Sequence, residues 1–373
     1  MAPMTARRLA VLVADDSALY RQMLLNVLAQ IPGVEVVGAA HDGLDAVAKA
    51  ESLRPDVVTL DVAMPRLDGL ATLRELRRRG NRARVIMVSS LTSEGSPATI
   101  EALMEGAFDF VTKPAGLETH QVRTHIHAAL VEKLSAIVDA QMAPVEPPKA
   151  SGRVGVGLPV AETGPADTGT REGLSREGRF DVIAIGTSTG GPQALTALLP
   201  TLPADLPAPV IIVQHMPAGF TATLAARLDD LSRLRVVEAS DGMVVESGTA
   251  YIAPGGLHLR VERRAGVRLH CVVEAGPHRL GCRPSFDNLL ESLAPIVGQK
   301  TLAVVLTGIG RDGVDGCTAV KQAGGYVVAQ AATGCAVYGM PKAVVEAGIV
   351  DSVLPLEGIG PAIARVARRA GRP

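Results

Sequence analysis

The chain has 373 residues, and its 37 basic and 38 acidic side chains leave a formal net charge of -1. This length is too great for one ordinary domain, and the near-zero charge argues against sequence-independent binding to nucleic acid. No run of about 18 apolar residues occurs that could cross a membrane, so we expect a protein that is not membrane-inserted and is cytoplasmic. The four cysteines, with no C-x-x-C pair among them, favour reduced structural thiols over disulfides or a zinc site.

Five strand-like apolar segments alternate with stretches of helical periodicity in the first part of the chain. The segments are residues 9–14, 34–40, 56–60, 84–90 and 108–114. Five β–α units of this length predict an α/β domain over residues 1–140, with a doubly wound, flavodoxin-like parallel sheet.

Residues 141–178 are predicted to be a flexible linker. The part from 142 to 178 has five prolines, seven glycines and no aromatic residue, so it buries too little apolar area to offset the entropy lost on ordering. A second α/β pattern follows and predicts a domain over residues 179–373 with a mainly parallel sheet. Its strand-like segments are residues 181–186, 208–214, 248–254, 300–308 and 324–330.

Carboxylate, hydroxyl and ammonium groups stand at the ends of four predicted strands in the first domain. Asp15 and Asp16 follow the first strand, Asp61 the third, Ser89 ends the fourth and Lys113 the fifth. For Asp15 or Asp16 taken alone, a helix N-cap is the favoured interpretation, but the ordered combination at one sheet edge indicates a site. Three converging carboxylates repel one another and suit Mg²⁺, while Lys113 and Ser89 are placed to contact a phosphoryl group.

Four motifs, "VADDSA", "LDVAMPRLDG", "MVSS" and "TKP", resemble the receiver domain of bacterial response regulators. The resemblance implies that Asp61 is the phosphoacceptor and receives phosphate from a histidine kinase. It also implies that Asp15, Asp16 and Asp61 bind Mg²⁺, with the backbone carbonyl of Ala63 as a further ligand.

The segment "GTSTGG", residues 186–191, lies between a predicted strand and a predicted helix. It matches the G-x-S-x-G nucleophile elbow, although glycine-rich turns in this context also bind phosphate. If Ser188 is a nucleophile, His215 and Asp312 follow two other strands at the same sheet edge and can complete a triad. The pattern leaves His258 open as a rival base and Asp315 as a rival acid.

Six further motifs occur in order from "IGTSTGGP" through "VQHMP", "YIAPGGLHL", "RPSFDNLLESLA" and "LTGIGRDG" to "YGMPKAVVEAG". Together they resemble the catalytic domain of the chemotaxis response regulator protein-glutamate methylesterases. The resemblance implies hydrolysis of glutamate 5-O-methyl esters on methylated chemoreceptors with release of methanol, and deamidation of certain receptor glutamines. It further implies a chemotaxis histidine kinase as phosphodonor, Mg²⁺ for receiver phosphorylation and no cofactor for ester hydrolysis.

The same resemblance implies that Ser188 is the nucleophile, His215 the general base and Asp312 the residue that orients the imidazole. Backbone N–H groups near Ile309 and Gly310 are candidates for part of the oxyanion hole. The chain order Ser, His, Asp argues against an α/β-hydrolase fold, in which the histidine comes last. The rival hypothesis is an adaptor whose second domain only binds a partner.

The two predicted domains imply a form of regulation. We expect the unphosphorylated first domain to cover the triad and phosphorylation of Asp61 to expose it.

Overall fold

The computed structural model describes residues 8–90, 95–114, 116–142, 180–264 and 268–368. Residues 143–178 of the predicted linker lie outside these ranges, and the linker stays a prediction there. The described residues form two α/β units, which we call the N-terminal and C-terminal domains.

The N-terminal domain is a five-stranded parallel sheet covered by helices. Its strands are β1 Leu9–Ala14, β2 Val34–Ala40, β3 Val57–Asp61, β4 Arg84–Ser90 and β5 Asp109–Lys113. Its helices are α1 Ala18–Leu28, α2 Gly43–Leu53, α3 Gly69–Arg78, α4 Gly95–Met104 and α5 Thr119–Met142. The strand order β2-β1-β3-β4-β5, with parallel pairing throughout, confirms the doubly wound prediction.

Local sequence explains where these elements begin. The central strands are continuous apolar runs because helices cover both faces of the sheet. Three helices start at a side chain that accepts a hydrogen bond from the first turn: Ser17, Asp42 and Asp68. Since Ser17 caps α1, Asp15 and Asp16 are not its N-caps.

The C-terminal domain has a larger sheet of seven parallel strands and a separate antiparallel hairpin. Its strands are β6 Val182–Thr187, β7 Val210–Gln214, β8 Arg235–Glu238, β9 Thr249–Ile252, β10 His258–Arg264, β11 Arg268–Glu274, β12 Thr301–Val305, β13 Tyr326–Gln330 and β14 Ser352–Leu354. Its helices are α6 Gly191–Leu198, α7 Phe220–Leu231, α8 Phe286–Val297, α9 Val314–Gln322, α10 Met340–Glu346 and α11 Leu356–Arg368. The order β14-β13-β12-β6-β7-β9-β8 confirms the mainly parallel sheet and places β12, β6 and β7 side by side.

The two domains pack directly against each other. Helix α4 lies against α6 and α7, and the rings of Phe110 in β5 and Phe220 in α7 have centroids 4.7 Å apart. Arg84 of β4 reaches across and donates to the carbonyl of Ala336 at 3.3 Å. In the ranges given above, no helix combines the length and apolar character needed to span a bilayer.

Candidate functional sites

The first candidate site is an acidic pocket at the carboxyl ends of β1, β3 and β5. Asp15, Asp16 and Asp61 each offer a carboxylate oxygen within 4.8 Å of the others. The Nζ of Lys113 lies 2.9 Å from an oxygen of Asp15 and 2.9 Å from an oxygen of Asp61. The structure therefore brings together the four charged residues that the strand ends predicted.

Negative charge exceeds positive charge in the acidic pocket. Burial raises the pKa of Asp61 to about 6; Lys113 opposes this shift, and Asp15 and Asp16 add to it. Burial disfavours the charge on Lys113, yet the neighbouring carboxylates outweigh it and the pKa of Lys113 is raised. An all-oxygen donor set with this excess charge fits Mg²⁺.

Ser89 connects the acidic pocket to helix α4. Its hydroxyl accepts a hydrogen bond from Thr99 Oγ1 at 2.8 Å and donates to the Ser90 carbonyl at 3.3 Å. Ser89 and Thr99 are both fully buried. Helix α4 also packs on the C-terminal domain. A change in the hydrogen bonds of Ser89 can therefore alter the packing between the two domains.

The second candidate site is a cleft of about 570 Å³ between the two domains. Ser188 follows β6, His215 follows β7 and Asp312 follows β12, and all three line the cleft. Their convergence results from the adjacency of these three parallel strands.

The backbone around Ser188 forms a tight turn into α6. Gly190 has a φ of +79°, in the left-handed region that favours glycine, and α6 begins at the next residue. The loop after β12 passes so close that a Cβ on Gly308 would lie 2.8 Å from the Cβ of Ser188. Ile309 and Gly310 follow in this loop and line the cleft.

The carboxylate of Asp312 is held at the N-terminus of α8. It accepts hydrogen bonds from Ser285 Oγ at 2.8 Å, Phe286 N at 2.6 Å and Asp287 N at 3.1 Å. Its Oδ2 also lies 2.7 Å from Nε2 of His215. Although burial acts in the opposite direction, these bonds lower the pKa of Asp312 to about 2, so the group is a fixed anion.

His215 lies between this anion and an unexpected thiol. Burial disfavours the imidazolium, but the contacts with Asp312 and Cys282 together outweigh it and raise the pKa of His215. The second ring nitrogen, Nδ1, lies 3.6 Å from Sγ of Cys282. Among the described residues, no hydrogen bond joins Ser188 Oγ to His215, whose ring contacts Asp312 and Cys282.

The rival base His258 and the rival acid Asp315 lie away from the cleft. His258 is buried, with Nε2 2.9 Å from the Pro277 carbonyl oxygen, and Asp315 is largely exposed and pairs with Arg279 at 3.1 Å. Neither side chain is among the described residues that line the cleft.

The N-terminal domain forms one wall of the cleft. Asp109, the first residue of β5, accepts a hydrogen bond from Thr189 Oγ1 and pairs with Lys133 of α5 at 2.9 Å. Thr189 is the residue directly after Ser188. The N-terminal residues that line the cleft are Leu103, Asp109, Phe110, Val111, Thr112, His125, Ala129, Glu132 and Lys133.

Sequence reasoning missed three residues of this site: Cys282, Ser285 and Asp109. Ser285 stands three residues before Asn288, and its hydroxyl accepts from that backbone N–H. A serine directly before an amphipathic run is a usable N-cap signal. Cys282 and Asp109 have no such signal in the sequence. The position of Cys282 depends on the conformation of a loop, and that of Asp109 depends on how the two domains pack.

Comparison with known proteins gives matches over both domains. Residues 183–363 match the CheB methylesterase family, and residues 11–125 match the response regulator receiver domain family. A protein-glutamate methylesterase/protein-glutamine glutaminase of Symbiobacterium thermophilum is 43% identical over 98% of this chain and 99% of its own length. A protein of the same name from Thermotoga maritima is 43% identical over 94% of this chain and 96% of its own length. The crystal structure of the Thermotoga maritima CheB methylesterase catalytic domain is 43% identical, covers 50% of this chain and 98% of that one, and has a TM-score of 0.49.

Proposed function

The chain belongs to the protein-glutamate methylesterase/protein-glutamine glutaminase family, and from this premise we propose that it hydrolyses glutamate 5-O-methyl esters on chemoreceptors. Methanol is the other product, and deamidation of specific receptor glutamines is a second activity of the same site. The observation that carries the proposal is the Asp312–His215 hydrogen bond of 2.7 Å in the cleft that also holds Ser188.

The reaction begins with attack of Ser188 Oγ on the ester carbonyl carbon, while His215 accepts the hydroxyl proton. The carbonyl oxygen becomes an oxyanion, for which the backbone N–H groups of Ile309 and Gly310 are the proposed donors. Asp312 stabilises the imidazolium that forms, because it stays ionised throughout.

Collapse of this intermediate breaks the bond to the methoxy oxygen, which takes the proton from His215 and leaves as methanol. The glutamyl group remains esterified to Ser188. Water then attacks this acyl-enzyme, His215 takes its proton and returns it to Ser188, and glutamate is released. With a glutamine substrate the same steps release ammonia in place of methanol.

In the N-terminal domain Asp61 is the proposed acceptor of a phosphoryl group from a chemotaxis histidine kinase. Asp15, Asp16 and Asp61 would hold Mg²⁺, which neutralises phosphoryl oxygens when bound. Lys113 pairs with the phosphoryl group, and the Ser89 hydroxyl turns toward it.

Phosphorylation controls access to the cleft in this proposal. Two observations support it: Asp109 bonds to Thr189 beside the nucleophile, and α4 packs on both α6 and α7. Turning Ser89 toward a phosphoryl group breaks its bond with Thr99 of α4. The docked arrangement is then weakened and the open arrangement gains population.

The proposal is tested by methanol release from methyl-labelled chemoreceptor membranes with the full chain. Ser188→Ala should reduce the rate by roughly 10⁴-fold or more, because the nucleophile is lost. Ser247→Ala, which changes an exposed serine bonded to Pro207, is the matched control and should keep the wild-type rate. Receptor binding without methanol release by the wild type would favour the adaptor, and equal release by Ser188→Ala would overturn the mechanism.

A further inference from the structure

The cleft contains the thiol of Cys282, a group that has no role in the proposed ester hydrolysis. Its Sγ lies 3.6 Å from Nδ1 of His215, and the two side chains line the same cleft as Ser188. His215, Cys282 and Asp312 each offer a ligand atom, and these atoms lie within 4.8 Å of one another. Imidazole nitrogen with thiol sulfur is a donor pair that borderline and soft transition metals prefer.

The distance between the two donors matches a shared metal ion. Zinc–nitrogen bonds of about 2.0–2.1 Å and zinc–sulfur bonds of about 2.3 Å at a tetrahedral angle separate the donors by about 3.6 Å. The observed separation of Nδ1 and Sγ is 3.6 Å. The separation of the two donors therefore fits a shared ion.

The hydrogen bond that joins His215 to Asp312 in the triad also suits a metal ligand. Its Nε2 lies 2.7 Å from the Asp312 carboxylate, and that carboxylate is itself held by Ser285 and the start of α8. A metal-binding histidine characteristically donates its other ring N–H to such a fixed carboxylate. In the neutral imidazole that donates Nε2–H to Asp312, the Nδ1 lone pair faces Cys282.

Cys282 is held in place by a tight turn. Backbone hydrogen bonds of 3.0 and 2.8 Å join Arg279 and Cys282, with Leu280 and Gly281 between them at φ values of 50° and 82°. The guanidinium of Arg279 binds both carboxylate oxygens of Glu291 in α8, at 2.6 and 2.7 Å. The thiol is thus positioned by the same helix that holds Asp312.

We propose that His215 Nδ1 and Cys282 Sγ form an exchangeable binding site for Zn²⁺ and similar divalent transition metals, and that occupancy inhibits the esterase. On binding, the Cys282 thiol and the Nδ1–H of a protonated His215 release their protons to solvent, and a metal–sulfur and a metal–nitrogen bond form. Water fills the remaining positions on the cleft side. The metal occupies the lone pair that would accept the Ser188 proton, so inhibition rests on the proposed function, whereas binding does not.

Binding is measured first, with Co²⁺ as an optical probe added to the reduced full chain. The wild type and the control Cys335→Ser should develop a thiolate-to-cobalt charge-transfer band in the near ultraviolet, and Cys282→Ser should not. Cys335 is a suitable control because it is also half-buried and its Sγ contacts the Ala331 carbonyl. Cobalt in the acidic pocket has only oxygen ligands and gives no such band. A band that persists in Cys282→Ser, or is missing from the wild type, would overturn the proposed site.

Inhibition is measured as methanol release over a range of ZnCl₂ concentrations, relative to the metal-free rate of each variant. Loss of an outer partner alone typically weakens metal binding by about 10–100-fold, so loss of the Cys282 ligand should raise the inhibitory concentration at least tenfold. Cys335→Ser should match the wild type. Equal sensitivity of Cys282→Ser and wild type would contradict the inhibitory role. If the wild type released no methanol even without metal, the proposed function would fail, while the cobalt band would still decide the metal site.

Discussion

The acidic pocket and the cleft both lie at the carboxyl edge of a parallel sheet, but their charges are balanced differently. Both lie where neighbouring parallel strands end. In the acidic pocket Asp15, Asp16 and Asp61 face one lysine, so charge is left unbalanced. In the cleft the carboxylate of Asp312 is balanced by four hydrogen bonds, and that of Asp109 is paired with Lys133.

This difference explains why one site is suited to switching and the other to catalysis. A pocket with unbalanced charge changes its contacts when a cation or phosphoryl group arrives. A site whose charges are already satisfied holds its groups in place before substrate binds, which is what stabilising a developing charge requires. Helix α4 and the contact between Asp109 and Thr189 connect the two sites.

Removing the charge of Asp312 is expected to have the largest effect. Asp312→Asn should lower kcat by about 10⁴-fold, because the neutral amide no longer stabilises the imidazolium or fixes the right tautomer of His215. The measurement is methanol release under saturating receptor. Asp315→Asn is the matched control three residues away and should keep the rate within about twofold, since its exposed ion pair contributes little. A large loss in Asp315→Asn with activity retained in Asp312→Asn would reverse the assignment.

Weakening the contact between the domains should have an intermediate effect in the opposite direction. Asp109→Asn keeps the shape of the side chain but replaces the anionic acceptor of the hydrogen bonds from Thr189 and Lys133 by a neutral amide oxygen. A loss of about 1 kcal/mol in docking should raise the unphosphorylated rate roughly fivefold. Glu101→Gln, which loses an exposed contact with Arg227 at 3.2 Å, should raise it less. An unchanged or lower basal rate in Asp109→Asn would show that this contact does not restrain the enzyme.

Ser285→Ala should change catalysis about as much as Asp109→Asn, but in the opposite direction. It removes one neutral donor to Asp312, worth about 1 kcal/mol, and should lower kcat by roughly fivefold. It also removes the N-cap of α8, which costs about 1 kcal/mol of stability. Ser17→Ala removes the equivalent cap of α1 and should lower the melting temperature without changing the basal kcat. A kcat that falls equally in both variants would mean that Ser285 acts only through stability.

The strands that are formed by runs of buried apolar residues were predictable from the sequence. Strands β1 to β5 occur where apolar runs predicted them; β1, β3, β4 and β5 are almost wholly buried, whereas the edge strand β2 is only partly covered. The hairpin β10–β11 was missed because it is partly exposed and rich in arginine, so its apolar residues are separated by charges. The three residues of β14 are too few to give a pattern.

In the cleft, only the residues that follow the ends of strands were predictable from the sequence. Ser188, His215 and Asp312 follow adjacent strands, so the sheet brings them to one edge. The preference for Asp312 over Asp315 comes from the N-terminus of α8, a segment about 25 residues earlier in the chain. The thiol of Cys282 beside His215 depends on a turn whose location in space no periodicity encodes.

We propose that the acidic pocket governs the esterase cleft, and the response of methanol release to phosphorylation tests this proposal directly. Methanol release by the full chain is followed with Mg²⁺, before and after addition of a small phosphodonor, in the wild type and in Asp61→Asn. We expect the phosphodonor to accelerate methanol release by the wild type and to leave Asp61→Asn at its basal rate. Without the phosphodonor, both proteins should have the same basal activity. Equal acceleration of both proteins, or a wild-type rate that does not respond to phosphorylation of Asp61, would contradict the proposal.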